Sequence, residues 1–186
     1  MLDSLTEAQS LLLENLQIAR ESGNRWGIGL GLEQLAASAQ ATGDHAEARR
    51  MLEESVAIYR EVGDLWSLSR VLNEAGEFAL EQGDEARARQ YFIEACKAGT
   101  TAHVPPHMLT SLAGLAALLA MEGSHERALE LVLFVQQNPA STQETKDRVK
   151  KWRSELEARL NSNQIEAAQA RAHSRDLEAV VRDFAG

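Results

Sequence analysis

A 40-residue internal repeat constrains this chain more than any other feature of its sequence. The segments Ala41 to Arg49, Glu81 to Arg89 and Met121 to Leu129 read ATGDHAEAR, EQGDEARAR and MEGSHERAL. A sequence period of about 20–50 residues is typical of stacked supersecondary units, so it predicts an elongated array rather than one globular core. The positions in register are Gly43, Gly83 and Gly123; Ala48, Ala88 and Ala128; and Leu52, Phe92 and Val132.

Each period contains two amphipathic helices. Apolar residues from Gly29 to Ala41 recur at helical spacing and gather on one face. Gly43-Asp44 is predicted to end this helix and start the next, from about His45 to Glu61, because glycine tolerates a left-handed C-terminus and aspartate caps an N-terminus. Gly63-Asp64 repeats this signal, and Pro105-Pro106 suits a first helical turn. The chain is rich in Ala and Leu, so the predicted fold class is all-α.

The repeat resembles the tetratricopeptide repeat (TPR), in which small residues let paired helices approach and large residues fill the gap to a neighbour. The resemblance implies a right-handed superhelical array of antiparallel helix pairs, an α-solenoid. The usual TPR has about 34 residues, so this repeat is a long variant. The residues 40 and 80 positions later occupy the same motif positions in the second and third units. In the first unit these positions hold Leu32, Leu35-Ala36, Ala39, Gly43-Asp44, Ala48, Leu52 and Ser55.

The repeat boundaries divide the chain into a half repeat (1–23), three full repeats (24–63, 64–103 and 104–140) and C-terminal capping helices (141–186). The half repeat matches a second helix that lacks its first helix. It is therefore expected to expose an apolar stripe and to support self-association, as would a segment cut from a longer array. The alternative is that this helix is a solvent cap. The expected stripe contains Leu5, Leu12, Leu16 and Ala19.

The C-terminal region departs from the repeat. A charged helix is predicted from Thr142 to Leu160, with Val149, Trp152 and Leu156 on one face together with Leu160. Two short helices are predicted at 164–172 and 176–184. The net charge of the chain is −9, and the basic residues of the charged helix alternate with acidic ones, which disfavours nucleic-acid binding.

Several stretches are similar to the TPR regions of large multidomain bacterial signalling ATPases and transcription regulators of the STAND class. The resemblance implies an array that senses an inducer or a partner and restrains a neighbouring nucleotide-binding domain. The stretches are Arg25-Trp26-Gly27-Ile28, Leu52 to Glu61, Ala167 to Arg171 and Leu177 to Val180.

No motif predicts catalysis, a cofactor or a metal. The close glycines of Gly27 to Gly31 follow no strand and are interpreted as a helix start rather than a phosphate loop. His103 and His107 are separated by prolines and lack a third ligand, and Cys96 reads as a packing residue without a basic partner. No apolar run reaches the about 18 residues of a membrane span, and the first 20 residues lack a signal-peptide pattern, so a cytoplasmic location is expected.

The TPR resemblance implies a ligand groove lined by the first helix of each unit. The groove is acidic in its middle and small and apolar beyond, which suits a basic or amphipathic peptide, or a domain of a parent protein. The carboxylates are alternatively ordinary solvated side chains. Sites for sugars or heterocycles usually contain stacking aromatic rings. The tryptophans are instead predicted at repeat junctions (Trp26 and Trp66) and on the cap (Trp152), so an interaction scaffold is favoured over a small-inducer sensor. The implied groove positions are Leu30, Glu33, Ala37, Arg70, Asn73, Glu77, Glu81, Thr110, Ala113 and Ala117.

Overall fold

The computed structural model describes the backbone of residues 2–185 and the side chains of residues 9–184. Ten helices and no strand lie in this part of the chain, so the predicted all-α array is confirmed. The helices are α1 (Leu2–Glu21), α2 (Arg25–Thr42), α3 (His45–Val62), α4 (Leu65–Glu81), α5 (Glu85–Thr101), α6 (Pro105–Met121), α7 (His125–Gln137), α8 (Gln143–Glu157), α9 (Ser162–Ser174) and α10 (Leu177–Ala185).

The helices pack in successive pairs along the chain. The pairs are α2 with α3, α4 with α5, and α6 with α7, and each pair also contacts the next. The first helices α4, α6 and α8 contact one another in order. The first helices therefore form a continuous surface across these units.

The predicted glycine and aspartate signals form the turns between helices. Gly43 and Gly63 have φ angles of 80° and 76°, in the left-handed region where a side chain is strained. The Oδ1 atom of Asp44 accepts a hydrogen bond from the backbone N–H of Glu47 at 3.1 Å. His103 occupies the equivalent left-handed position after α5, with a φ of 53°.

Close packing within one unit and between units depends on the absence of a side chain at Gly76 and Gly114, respectively. The fully buried ring of Phe92, on α5, lies against both glycines. A Cβ atom placed at Gly76 would lie 2.6 Å from Cε1 of Phe92, which is closer than real side chains approach. The small residues Gly76 and Gly114 and the large residue Phe92 therefore allow α4, α5 and α6 to pack closely together, as the predicted small and large positions require.

The apolar stripe expected on the half repeat is not exposed as predicted. Leu16 and Ala19 are buried against α2, in one cluster with Ile28 and Leu32. The expectation was wrong for these two residues because a second helix turns its apolar face toward the first helix of the next unit. Leu5 lies outside the described side chains. Among the described side chains of α1, the exposed large apolar residues are Leu11, Leu13 and Ile18.

The C-terminal helices pack against the preceding helices of the array. Helices α8 and α9 each pack against α7, and α10 turns back to contact α5 and α6. Val149 and Leu156 of α8 are buried, while Trp152 is half-buried against the same core. The predicted charged helix ends at Glu157, before Leu160.

A buried carboxylate joins the last helices. Glu130, on α7, is 1 % exposed and pairs with the guanidinium groups of Arg127, Arg171 and Arg175. Asp183 of α10 pairs with Arg127 and Arg175. This network holds α9 and α10 against α7.

Candidate interaction groove

The first-helix groove is the surface formed by the exposed and half-buried side chains of α2, α4, α6 and α8. At the meeting point of α4, α6 and α8 it contains a cavity of about 210 Å³. We call this the α4–α6–α8 cavity. Its lining is formed by Arg70, Asn73, Glu74, Glu77, His107, Thr110, Thr142, Glu144, Thr145 and Arg148.

An ion pair connects α2 to α4 within the groove. Glu33 is 4 % exposed, and Nη2 of Arg70 lies 2.7 Å from its Oε2 atom. Nη1 of Arg70 also lies 3.3 Å from Oε1 of Glu74. The guanidinium carbon of Arg70 lies 5.5 Å from the centre of the Trp66 ring, within the range of a cation–π contact. Arg70 is therefore shared between two carboxylates and an indole ring.

Asn73 connects α4 to α6 rather than facing open solvent. Its side-chain N–H donates to the backbone carbonyl of His107 at 2.9 Å. Its carbonyl accepts from the hydroxyl of Ser111 at 2.7 Å. Because both ends of the buried amide are satisfied within the chain, Asn73 positions α6 against α4.

Helix α8 contacts both α4 and α6 at the cavity. Arg148 forms an ion pair with Glu77 of α4, and the hydroxyls of Thr110 and Thr145 lie 3.1 Å apart. Burial raises the pKa of Glu77, and the positive charge of Arg148 partly opposes this shift. Burial likewise raises the pKa of Glu74 against the effect of Arg70. The cavity thus holds carboxylates whose negative charge is costly to keep.

His107 lines one side of the cavity, and Trp66 packs beside it. Their ring centres are 5.1 Å apart, and Nδ1 of His107 lies 2.7 Å from the hydroxyl oxygen of Ser69. Burial, and then the positive charge of Arg70, lower the pKa of His107. Trp66 is 50 % exposed. This side of the cavity therefore offers an imidazole whose charged form is disfavoured, with an accessible indole beside it.

The predicted groove residues occupy different environments. Ala37 and Glu81 are exposed, and Arg70, Glu77 and Thr110 are partly exposed at the cavity. Glu33, Asn73, Ala113 and Ala117 are buried, and Leu30 is half-buried. Only part of the predicted set is therefore accessible to a ligand.

Sequence reasoning missed the contributions of Trp66, His107 and α8. Trp66 was placed at a repeat junction by its 40-residue spacing from Trp26, but the two indoles have different surroundings. Trp26 donates from Nε1 to Asp64 at 3.0 Å, whereas Trp66 lies beside His107. No signal in the sequence shows that Arg148 reaches α4.

Residues 28–100 match the protein-family model described as Tetratricopeptide repeat. The match supports a TPR domain. TPR repeats generally mediate protein–protein interaction, and the family is a non-catalytic repeat module. A comparison with curated proteins gives no match.

Two further observations limit the chemistry of the described residues. Within 9–184, no three His, Cys, Asp or Glu side chains are grouped as a metal site requires. Among the helices of residues 2–185, none combines the length and the apolar character needed to cross a membrane.

Proposed function

We propose that this chain is a protein-interaction module whose partner, a protein or a peptide segment, binds the first-helix groove. The observation that carries the proposal is the exposed surface around the α4–α6–α8 cavity, where half-exposed Trp66 contacts the lining residues Arg70 and His107. Tryptophan is enriched at the energetic centres of protein interfaces. In this proposal the chain consists of a half repeat (1–23), three full repeats (24–63, 64–103 and 104–140) and C-terminal capping helices (141–186).

The proposal includes a regulatory setting for the module. The STAND-like stretches, among them Arg25-Trp26-Gly27-Ile28, support a segment of a larger bacterial signalling or transcription-regulatory protein. In that setting the partner is another protein or a domain of the parent protein. The cytoplasm is the proposed location.

A small-inducer sensor is the second candidate function. Small-molecule sites usually have volumes of about 300–1,000 Å³, so the groove cavity of about 210 Å³ is undersized for this role. A cavity of about 470 Å³, lined by His103, Met108 and Leu177 among others, lies outside the groove between α10 and the α5–α6 turn. A thermal-shift screen with sugars and nucleotides tests this candidate. A saturable, dose-dependent rise in melting temperature would favour it over the scaffold.

A matched pair of substitutions tests binding in the groove. Ala37, on α2, and Ala57, on α3, are both exposed. Ala37→Arg adds bulk and charge to the groove, and Ala57→Arg makes the same change on a second helix. Peptides selected on the wild-type protein from a displayed library of random linear sequences should lose binding to Ala37→Arg and keep binding to Ala57→Arg.

This design avoids substitution of Glu77. Because Glu77 pairs with Arg148, a change at Glu77 also disturbs the contact between α4 and α8. Circular dichroism checks that both arginine variants keep their helicity. Equal binding by Ala37→Arg and the wild-type protein would place the site outside the groove.

The half repeat supports a proposal of self-association. Leu11 and Ile18 of α1 are each 55 % exposed. Ile58, which is 40 residues after Ile18 and equivalent to it, is buried in the same cluster as Leu16. The wild-type protein should show a rise in sedimentation coefficient with concentration, and Leu11→Gln with Ile18→Gln should abolish it. A wild-type protein that stays monomeric at high concentration would contradict self-association through α1.

A further inference from the structure

The α4–α6–α8 cavity contains more negative than positive charge. Arg70 is shared between Glu33 and Glu74, so one guanidinium faces two carboxylates. Arg148 pairs with Glu77, and Glu144 lines the same cavity without an ion pair among the described side chains. The charged side chains that line the cavity are three carboxylates, of Glu74, Glu77 and Glu144, and two guanidinium groups, of Arg70 and Arg148. The cavity therefore keeps an excess of negative charge.

The cavity already accepts a guanidinium group from outside the α4–α6 surface. Arg148 belongs to α8, and its side chain reaches across to Glu77 on α4. The contact shows that a basic side chain fits among these groups. Among the described side chains, Glu144 has no ion pair and Glu74 shares the guanidinium of Arg70 with Glu33, so these two carboxylates keep capacity to pair with another cation.

The remaining lining suits the rest of a long basic side chain. Thr110 and Thr142 supply hydroxyl oxygens that accept hydrogen bonds, and the indole of Trp66 lies next to His107, which lines the cavity. Lysine and arginine side chains pack their aliphatic stems along apolar surfaces while their charged ends remain in a polar site. The volume of about 210 Å³ is smaller than that of ordinary small-molecule sites, which favours one side chain over a complete small ligand.

We propose that the α4–α6–α8 cavity binds a single lysine or arginine side chain of the partner, with Glu74 and Glu144 as its pairing carboxylates and Trp66 against its stem. This inference rests on the proposed function, since it names the part of the partner that the groove recognises. An anionic group is a poorer occupant, because both guanidinium groups are already paired with carboxylates of the chain.

The test uses the peptides selected from the random displayed library. The variant is Glu74→Gln with Glu144→Gln, which keeps the Glu33–Arg70 and Glu77–Arg148 pairs and loses the ionic part of the 3.3 Å contact between Arg70 and Glu74. The control is Glu85→Gln with Glu166→Gln, at exposed positions of α5 and α9 outside the cavity lining, with the same change in net charge. Affinity is measured by fluorescence anisotropy with labelled peptides.

The selected sequences should share one position that holds Lys or Arg. The cavity variant should weaken binding by about tenfold, as expected for loss of a charge-assisted contact. The control variant should bind as the wild-type protein does. Replacing the shared lysine with norleucine, or the shared arginine with citrulline, should weaken binding to the wild-type protein but have little effect on the cavity variant.

Three outcomes would overturn the inference. Peptides that lose binding to Ala37→Arg but share no basic position would reject it while leaving the proposed function intact. Equal weakening by the cavity and control variants would assign the effect to overall charge. A selection that yields no peptide sensitive to Ala37→Arg would reject the groove function and the inference with it.

Discussion

The guanidinium of Arg70, on α4, pairs with the buried carboxylate of Glu33, on α2, with Nη2 2.7 Å from Oε2. The two residues come from adjacent repeats, so their contact joins two units. A charged side chain that is buried must be paired, because removal from water is otherwise unfavourable. The groove therefore contains internal electrostatic contacts as well as accessible side chains.

Glu33→Ala should lower the free energy of unfolding. The change leaves Arg70 without its buried partner, and the expected loss is about 2 kcal/mol, below the range for fully buried pairs because Arg70 retains partial exposure. Urea unfolding followed by circular dichroism measures the loss. Glu81→Ala, at an exposed position on the same surface, should change the value by less than about 0.5 kcal/mol. Equal effects of the two substitutions would contradict the role assigned to the pair.

Gly76→Ala should destabilise the array by about 1–3 kcal/mol, because the added Cβ overlaps the ring of Phe92. Gly31→Ala is the matched control, since the nearest atom to its added Cβ is a side-chain atom of Leu16 at 3.3 Å. Phe92→Leu should be less destabilising in the Gly76→Ala background than in the wild-type protein. Additive effects in this double-mutant cycle would show that the two positions are not coupled.

His107 should make the protein less stable as the pH falls. Its pKa is lowered in the folded state, so below about pH 6.5 the unfolded chain takes up the proton more readily than the folded chain. Stability from this group is full above the unfolded pKa and is lost as the pH falls toward the folded pKa.

Nuclear magnetic resonance titration of the His107 ring should give a pKa below its ordinary value. The difference in unfolding free energy between the wild-type protein and His107→Gln should also depend on pH across this window. A His107 pKa at or above 6.5 would contradict the environment described.

Cys96 should react with thiol reagents only when the protein opens. Its side chain is fully buried, and burial raises the pKa of its thiol to about 12. The thiolate that attacks such reagents is therefore both scarce and inaccessible. Absorbance after addition of a disulfide reagent at about pH 8 should show slow labelling of the native protein and rapid labelling in urea. Rapid native labelling would place Cys96 at an accessible site.

The local features of the fold could be predicted because they depend on neighbouring residues. Gly43 can adopt the left-handed conformation that ends a helix, and Asp44 caps the start of the next one. Pro105 favours the first turn of a helix. None of these effects depends on distant residues. The TPR resemblance also implies that Gly76 is a small position and Phe92 a large one, and the structure shows that the two meet.

The contacts within the groove depend on distances between helices and could not be read from the sequence. The repeat pattern predicts that Glu33 and Arg70 share one surface, but their pairing requires α2 and α4 to approach closely. Arg148 lies on a helix whose mixed charges are typical of a solvated face. Its contact with Glu77 depends on how far the array curves between α4 and α8, which no local pattern specifies.

The most direct test of the interaction function is a map of amide chemical-shift changes on adding a peptide selected from the displayed library. The groove account predicts that the largest changes lie on α2, α4, α6 and the start of α8, around Ala37, Arg70 and Thr145. Changes concentrated on α3, α5 and α7 would contradict it and move the binding surface to the second helices.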